Sequence, residues 1–100
     1  MKNKTIKRIV KMTFRKDKTT EFLRIYKERQ SMISGFEGCN GVELLRCKDP
    51  DNVFFTYSLW EEEQDLERYR QSDLFKSTWA LVKPLFDDRA EAWTVEEENA

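Results

Sequence analysis

The chain has 100 residues, 39% of them hydrophobic and 13% aromatic, with 18 Lys and Arg against 19 Asp and Glu for a net charge of −1. That length suits one domain spanning residues 1–100, and with 3 Gly and 2 Pro the composition is neither disordered nor flexible. The near-neutral balance argues against a nucleic-acid partner held by phosphate contacts. The absence of histidine removes every His-dependent triad and every His-ligated zinc, iron or haem site.

Residues 6–14, IKRIVKMTF, mix β-branched and basic types and predict a first strand. The N-terminal stretch is basic but has no signal-type apolar core, because Lys11 follows Ile9 and Val10. No segment approaches membrane-spanning length. The expectation is a cytoplasmic protein with no membrane partner. Asp17 reads as the cap of a helix in which Phe22, Ile25, Tyr26, Arg29, Met32 and Ile33 recur at helical spacing, with Gly35 as its stop. Residues 39–48, CNGVELLRCK, predict a second strand. Cys39 and Cys47 would then lie about 26 Å apart at roughly 3.3 Å per residue, too far to bridge, and read as reduced, buried small hydrophobes.

Asp49-Pro50-Asp51-Asn52 predicts a turn, with proline setting φ and Asp and Asn bonding back to the backbone. Residues 53–60, VFFTYSLW, are the strongest strand signal, so the two strands form a hairpin. Residues 61–70 read as a short acidic helix whose carboxylates suit its N-terminus. Ser72 or Asp73 caps a further helix, with Leu74, Thr78, Leu81 and Leu85 on one stripe and Phe75, Trp79, Val82 and Phe86 on the next. Pro84 should end it. Residues 89–96, RAEAWTVE, predict a last strand before an acidic tail, giving a structured core over about 6–96.

The order β-α-β-β-α-β predicts an α+β, ferredoxin-like domain with a four-stranded antiparallel sheet in which the last strand lies beside the first. Charge agrees with that pairing. Residues 1–18 carry eight basic residues and one acid, Asp17, whereas residues 87–100 carry six acids and one base, Arg89.

A sheet with helices on one face and water on the other should alternate. Here Val53, Phe55, Tyr57 and Leu59 occupy one parity of the third strand while Phe54 and Trp60 occupy the other. Apolar residues on both faces predict a homodimer packed sheet to sheet as a dimeric α/β barrel.

Phe54, Tyr57 and Trp60, an acidic turn, then Leu66, Tyr69, Ser72 and Phe75 with a helix opening SDLF, form a recognisable sequence pattern. Over residues 6–96 it resembles the antibiotic biosynthesis monooxygenase domains of the dimeric α/β-barrel superfamily. The resemblance implies a cofactor-independent monooxygenase acting on a phenolic, quinol or polycyclic aromatic small molecule. The alternative is a non-catalytic small-molecule-binding protein on the same architecture. Relatives that degrade haem use an Asn, a Trp and a His ligand at positions that fall on Val10, Tyr69 and Trp79, so the resemblance does not extend to haem degradation. Many relatives carry a glutamate where this chain has Ser58 and a histidine where it has Tyr69, so the familiar bases are absent.

Such an oxygenase needs no cofactor. It must bury an aromatic ring, favour the phenolate and exclude water. The candidate catalytic residues are Tyr69 and Tyr57, as hydroxyl partners. The candidate substrate-binding residues are Trp60 and Trp79 as walls, with Arg46 and Arg29 as positive groups for an oxyanion. An RNA-recognition reading fails because VFFTYSLW has no glycine and no basic residue.

Overall fold

The computed structural model describes residues 5–99. It runs β1 (Ile6–Thr13), α1 (Thr19–Ser34), β2 (Cys39–Arg46), β3 (Val53–Trp60), α2 (Glu63–Arg70), α3 (Asp73–Val82) and β4 (Glu91–Glu96). The strands form one antiparallel sheet in the order β2-β3-β1-β4, the ferredoxin-like arrangement that the element order predicts.

Register assigns each parity to a face. Met12 pairs with Phe54, Val10 with Thr56, Arg8 with Ser58 and Ile6 with Trp60. Met12 and Phe54 join Phe14, Phe22, Ile25, Val82 and Leu85 in the buried core, so this parity faces the helices. Phe14 anchors the core. It stacks on Phe22 at 4.2 Å between ring centroids, meets Phe54 edge-on at 5.7 Å and touches Phe86 at 5.3 Å.

The opposite face carries Ile9, Leu45, Phe55, Tyr57, Leu59, Trp93 and Val95, as the paired registers show. Leu45, Trp93 and Val95 at its margins are 49%, 45% and 38% exposed.

Local chemistry explains the ends of the elements. Asp17 is not the cap of α1. Residues 16–18 form a single 3₁₀ turn and α1 starts at Thr19 without a side-chain cap, so Asp17 sits too early to reach the helix's free N–H groups. Gly35 does end α1. Asn52 does not bond back within its own turn. Its amide donates to the Phe14 carbonyl at 2.8 Å, and its carbonyl accepts from the Phe14 N–H at 2.9 Å, tying the hairpin to the end of β1. Gly38 holds φ +85° with the Asp65 side chain against its Cα, where any Cβ would collide, so the α1–β2 connection docks closely on α2. Pro84 falls in a 3₁₀ turn over Lys83–Leu85, directly after α3.

Ser72 caps α3. Its hydroxyl accepts from the Phe75 N–H at 3.1 Å and donates to the Tyr69 carbonyl at 2.6 Å, joining α2 to α3. Ser72→Ala is expected to cost about 1 kcal/mol, read as a lower urea midpoint with an unchanged slope.

Candidate functional site

Between the helix-facing side of the sheet and the three helices lies a cavity of about 280 Å³. Val10, Met12, Val42, Ala90 and Ala92 contribute to its sheet side. Phe22, Tyr26 and Ile33 of α1, Leu66 and Tyr69 of α2, and Phe75, Trp79 and Val82 of α3 enclose it. The walls are mostly apolar, with few polar groups directed inward, as suits a small aromatic ligand.

An unbroken run of rings forms the roof. Trp60 stacks on Tyr69 at 5.1 Å and 29°, Tyr69 meets Phe75 edge-on at 5.2 Å, and Phe75 lies 5.8 Å from Trp79. Tyr69 owes its place to the short α2, whose Leu66 is buried one turn earlier, and to the Ser72 bond on its carbonyl. Trp60 is completely buried beneath it, and its indole N–H donates to Ser58 Oγ at 2.9 Å. That bond occupies Ser58 as an acceptor and leaves its O–H to donate.

The polar residues of the wall are Arg8, Thr56, Ser58, Tyr26, Tyr69, Arg70, Thr78 and Glu91. Burial pushes the Tyr69 phenol up to about 12, with Cys39 and Tyr26 adding to the effect. Tyr69 is therefore a hydrogen-bond donor at neutral pH and not a base. Burial also raises Tyr26, with Glu43 contributing, and its hydroxyl is buried without a partner among the described residues. Both cysteines are free, and burial raises the Cys39 thiol against the opposing effect of a backbone hydrogen bond at Gly41. Among the described residues no three His, Cys, Asp or Glu side chains gather to hold a metal ion.

The Tyr69 shift has a consequence for stability. The unfolded chain releases this proton near pH 10 and the folded chain only near pH 12, so above pH 10 the folded state binds more protons. Stability must then fall as pH rises from about 10 to about 12, by roughly 2–3 kcal/mol. Urea titrations across that range should show the fall, and Tyr69→Phe should flatten it.

The six candidates named from sequence separate. Tyr69 and Trp79 line the cavity. Trp60 lies behind it, supporting Tyr69. Tyr57 is corrected as a catalytic candidate. It pairs with Ile9 and Glu43 on the parity opposite Phe54, so its side chain leaves the sheet on the face away from the cavity. Arg46 does not reach the cavity. Its guanidinium stands 4.7 Å over the Phe54 ring, and its Nε donates to the Asp51 carbonyl at 2.6 Å. Arg29 is a helix clamp, donating to Ser77 Oγ at 2.8 Å and Thr78 Oγ1 at 3.0 Å.

Sequence reasoning missed Arg8, Arg70 and Tyr26 as wall residues. The signal for Arg8 was present. It is the one charged residue on the parity of Ile6, Val10, Met12 and Phe14.

The family model for antibiotic biosynthesis monooxygenase matches residues 5–80, which include β1, the hairpin, α2 and most of α3. The chain belongs to this family. Among solved structures, a conserved protein from Methanosarcina mazei superposes with a TM-score of 0.89 at 20% identity, covering 95% of this chain and 94% of that one. A candidate antibiotic biosynthesis monooxygenase from Nitrosomonas europaea gives 0.89 at 13% identity, over 97% and 93%. One from Caulobacter crescentus gives 0.87 at 18%, over 96% and 92%. These identities establish the shared fold. No curated protein matches the chain. Among the described residues of this antibiotic biosynthesis monooxygenase family member, no helix is long and apolar enough to cross a membrane.

Proposed function

We propose that the protein is a cytoplasmic, homodimeric, cofactor-independent monooxygenase that oxidises a small phenolic or quinol compound in this cavity. The observation that carries the reading is the ring-walled cavity with its hydroxyl donors, in a chain of this family. Tyr69 is the catalytic donor, Trp79 a wall against the substrate, and Trp60 the residue that positions Tyr69.

The chemistry balances without a cofactor. An ionised naphthol is electron-rich, and its ring carbon para to the oxygen forms a bond to dioxygen. The resulting hydroperoxide loses water as the ring becomes a quinone. One oxygen atom remains in the new carbonyl, the other leaves in water, and the substrate supplies all four electrons. The phenolic proton goes to solvent and returns with the departing hydroxide. The protein holds the ring, donates from Tyr69 to the developing oxyanion and keeps bulk water from the peroxide.

Oxygen uptake by metal-stripped protein, measured against naphthols and hydroquinones, tests this directly. Uptake should exceed the protein-free rate, and Tyr69→Phe should lower kcat about tenfold or more, the usual effect of removing one oxyanion donor being larger still. An unchanged rate in Tyr69→Phe would remove Tyr69 from the chemistry. The family's familiar base positions hold Ser58 and Tyr69 in this chain, which favours the alternative of a binding protein. No uptake, with a naphthol still raising Tm, would establish that alternative.

A further inference from the structure

Arg8 is the charged residue on the helix-facing parity of β1, and the structure gives it an unusual setting. Its Nη1 donates to Thr94 Oγ1 at 2.7 Å, across the β1–β4 pair. Ser58 lies opposite on the other side, so Thr94, Arg8 and Ser58 make one polar row across the sheet. Arg8 and Ser58 both line the cavity. Among the described residues no carboxylate forms an ion pair with Arg8. Half-burying a guanidinium with no carboxylate in contact with it costs free energy that a bound anion would offset.

Arg70, at the end of α2, lines the same cavity. Burial and the Arg70 charge both depress the Arg8 pKa, while Glu67 opposes them, so the three groups share one region. Glu67 is engaged by Arg70 at 3.2 Å and by Gln71 at 3.2 Å. Of the two guanidiniums, Arg70 is held against Glu67, whereas Arg8 is in no ion pair among the described residues. Glu91 also lines the wall, at the register position of Lys11 on the parity opposite Arg8, and forms no ion pair with Arg8. An arginine does not lose its proton in a protein, so the charge persists at every relevant pH.

We propose that Arg8 and Arg70 form an anion clamp at the α2 end of the cavity, selecting a one- or two-ring aromatic that carries a carboxylate or an ionised phenolic oxygen. The size limit follows from volume. A cavity of about 150 Å³ accepts benzene, and about 280 Å³ accommodates a second fused ring. The charge makes up for the missing base. A phenol beside the clamp ionises at lower pH, and solvent alone suffices to take its proton. This inference rests on the cavity being the ligand site, as proposed above.

Calorimetric titration near neutral pH with naphthoate and naphthylmethanol, which share a ring and differ in charge, tests the clamp. Naphthoate should bind about tenfold tighter or better, as expected for a charge-assisted contact. Arg8→Gln should abolish that preference while naphthylmethanol still binds, which also shows that the variant is folded. Arg70→Gln should reduce it. A parallel spectral titration of bound naphthol distinguishes the two anions: a phenolate site moves its ionisation to lower pH by about one unit, or tenfold. Equal affinity for the two naphthalene probes together with an unshifted naphthol overturns the clamp and leaves the cavity as a ligand site. A preference for naphthoate that survives both substitutions also overturns it. No binding of any of the three probes overturns the cavity reading and the clamp with it.

Discussion

Phe14→Ala should lower the unfolding free energy by about 3–5 kcal/mol, the range for truncating a fully buried phenylalanine. For a domain of this size that is a large share of a total near 5–15 kcal/mol. Phe14 is completely buried and contacts rings from α1, β3 and the segment following α3. It also bridges to Phe86 through the backbone. Collapse into the space would require β1, α1 and the 86–90 segment to move together, so most of the void should remain. Urea denaturation followed by circular dichroism gives the value. A loss below about 1 kcal/mol would mean that the core is not organised around this ring.

The second large effect concerns the face of the sheet away from the helices. Leu45→Glu combined with Trp93→Glu should convert a dimer into a monomer in light scattering at micromolar concentration. In the free chain Leu45 and Trp93 are 49% and 45% exposed, at opposite margins of a face filled by Ile9, Phe55, Tyr57 and Leu59. Sheet-to-sheet packing would bury both margins, and each glutamate would then carry a charge into a mostly apolar interface. That costs several kcal/mol per group, enough to raise the dissociation constant about a hundredfold or more. As a free monomer the variant should stay folded, since neither residue enters the core. A monomeric mass for the unsubstituted protein would contradict the proposed dimer.

The same face shows what the sequence revealed and what it concealed. VFFTYSLW was legible as β3 to the residue, because β-branched and aromatic types run between a turn and an acidic segment. Its double-sided apolar character was legible as well, but parity alone does not say which side faces the helices. That choice depends on Phe54 meeting Phe14 and Phe22 from other elements. Tyr57 was misplaced for this reason. Its hydroxyl suited the chemistry, but its register position put it on the wrong side.

The helices were legible in a different way. The spacing of Phe22, Ile25 and Ile33 located α1, yet Arg29 on the same helix reads equally as a ligand for an anion and as a clamp to α3. Only the positions of Ser77 and Thr78 decide for the clamp. Arg46 was similar, since its partners are the Phe54 ring across the hairpin and the Asp51 carbonyl in the turn. Tyr69 and Trp79 came into view through the family pattern after β3. Arg8 could have been recognised as a charge on an otherwise apolar stripe once the parity was assigned, and Arg70 needed the packing of α2 to bring it to the same cavity.

The most direct measurement is the fate of dioxygen. Metal-stripped protein, naphthol and heavy-isotope dioxygen should yield a naphthoquinone with one heavy oxygen atom, and water carrying the other, at a rate that falls in Tyr69→Phe. Heavy oxygen appearing only in hydrogen peroxide, with no label in any quinone, would contradict monooxygenation. The cavity would then support a two-electron oxidation in which dioxygen leaves as peroxide, and no oxygen atom would enter the substrate.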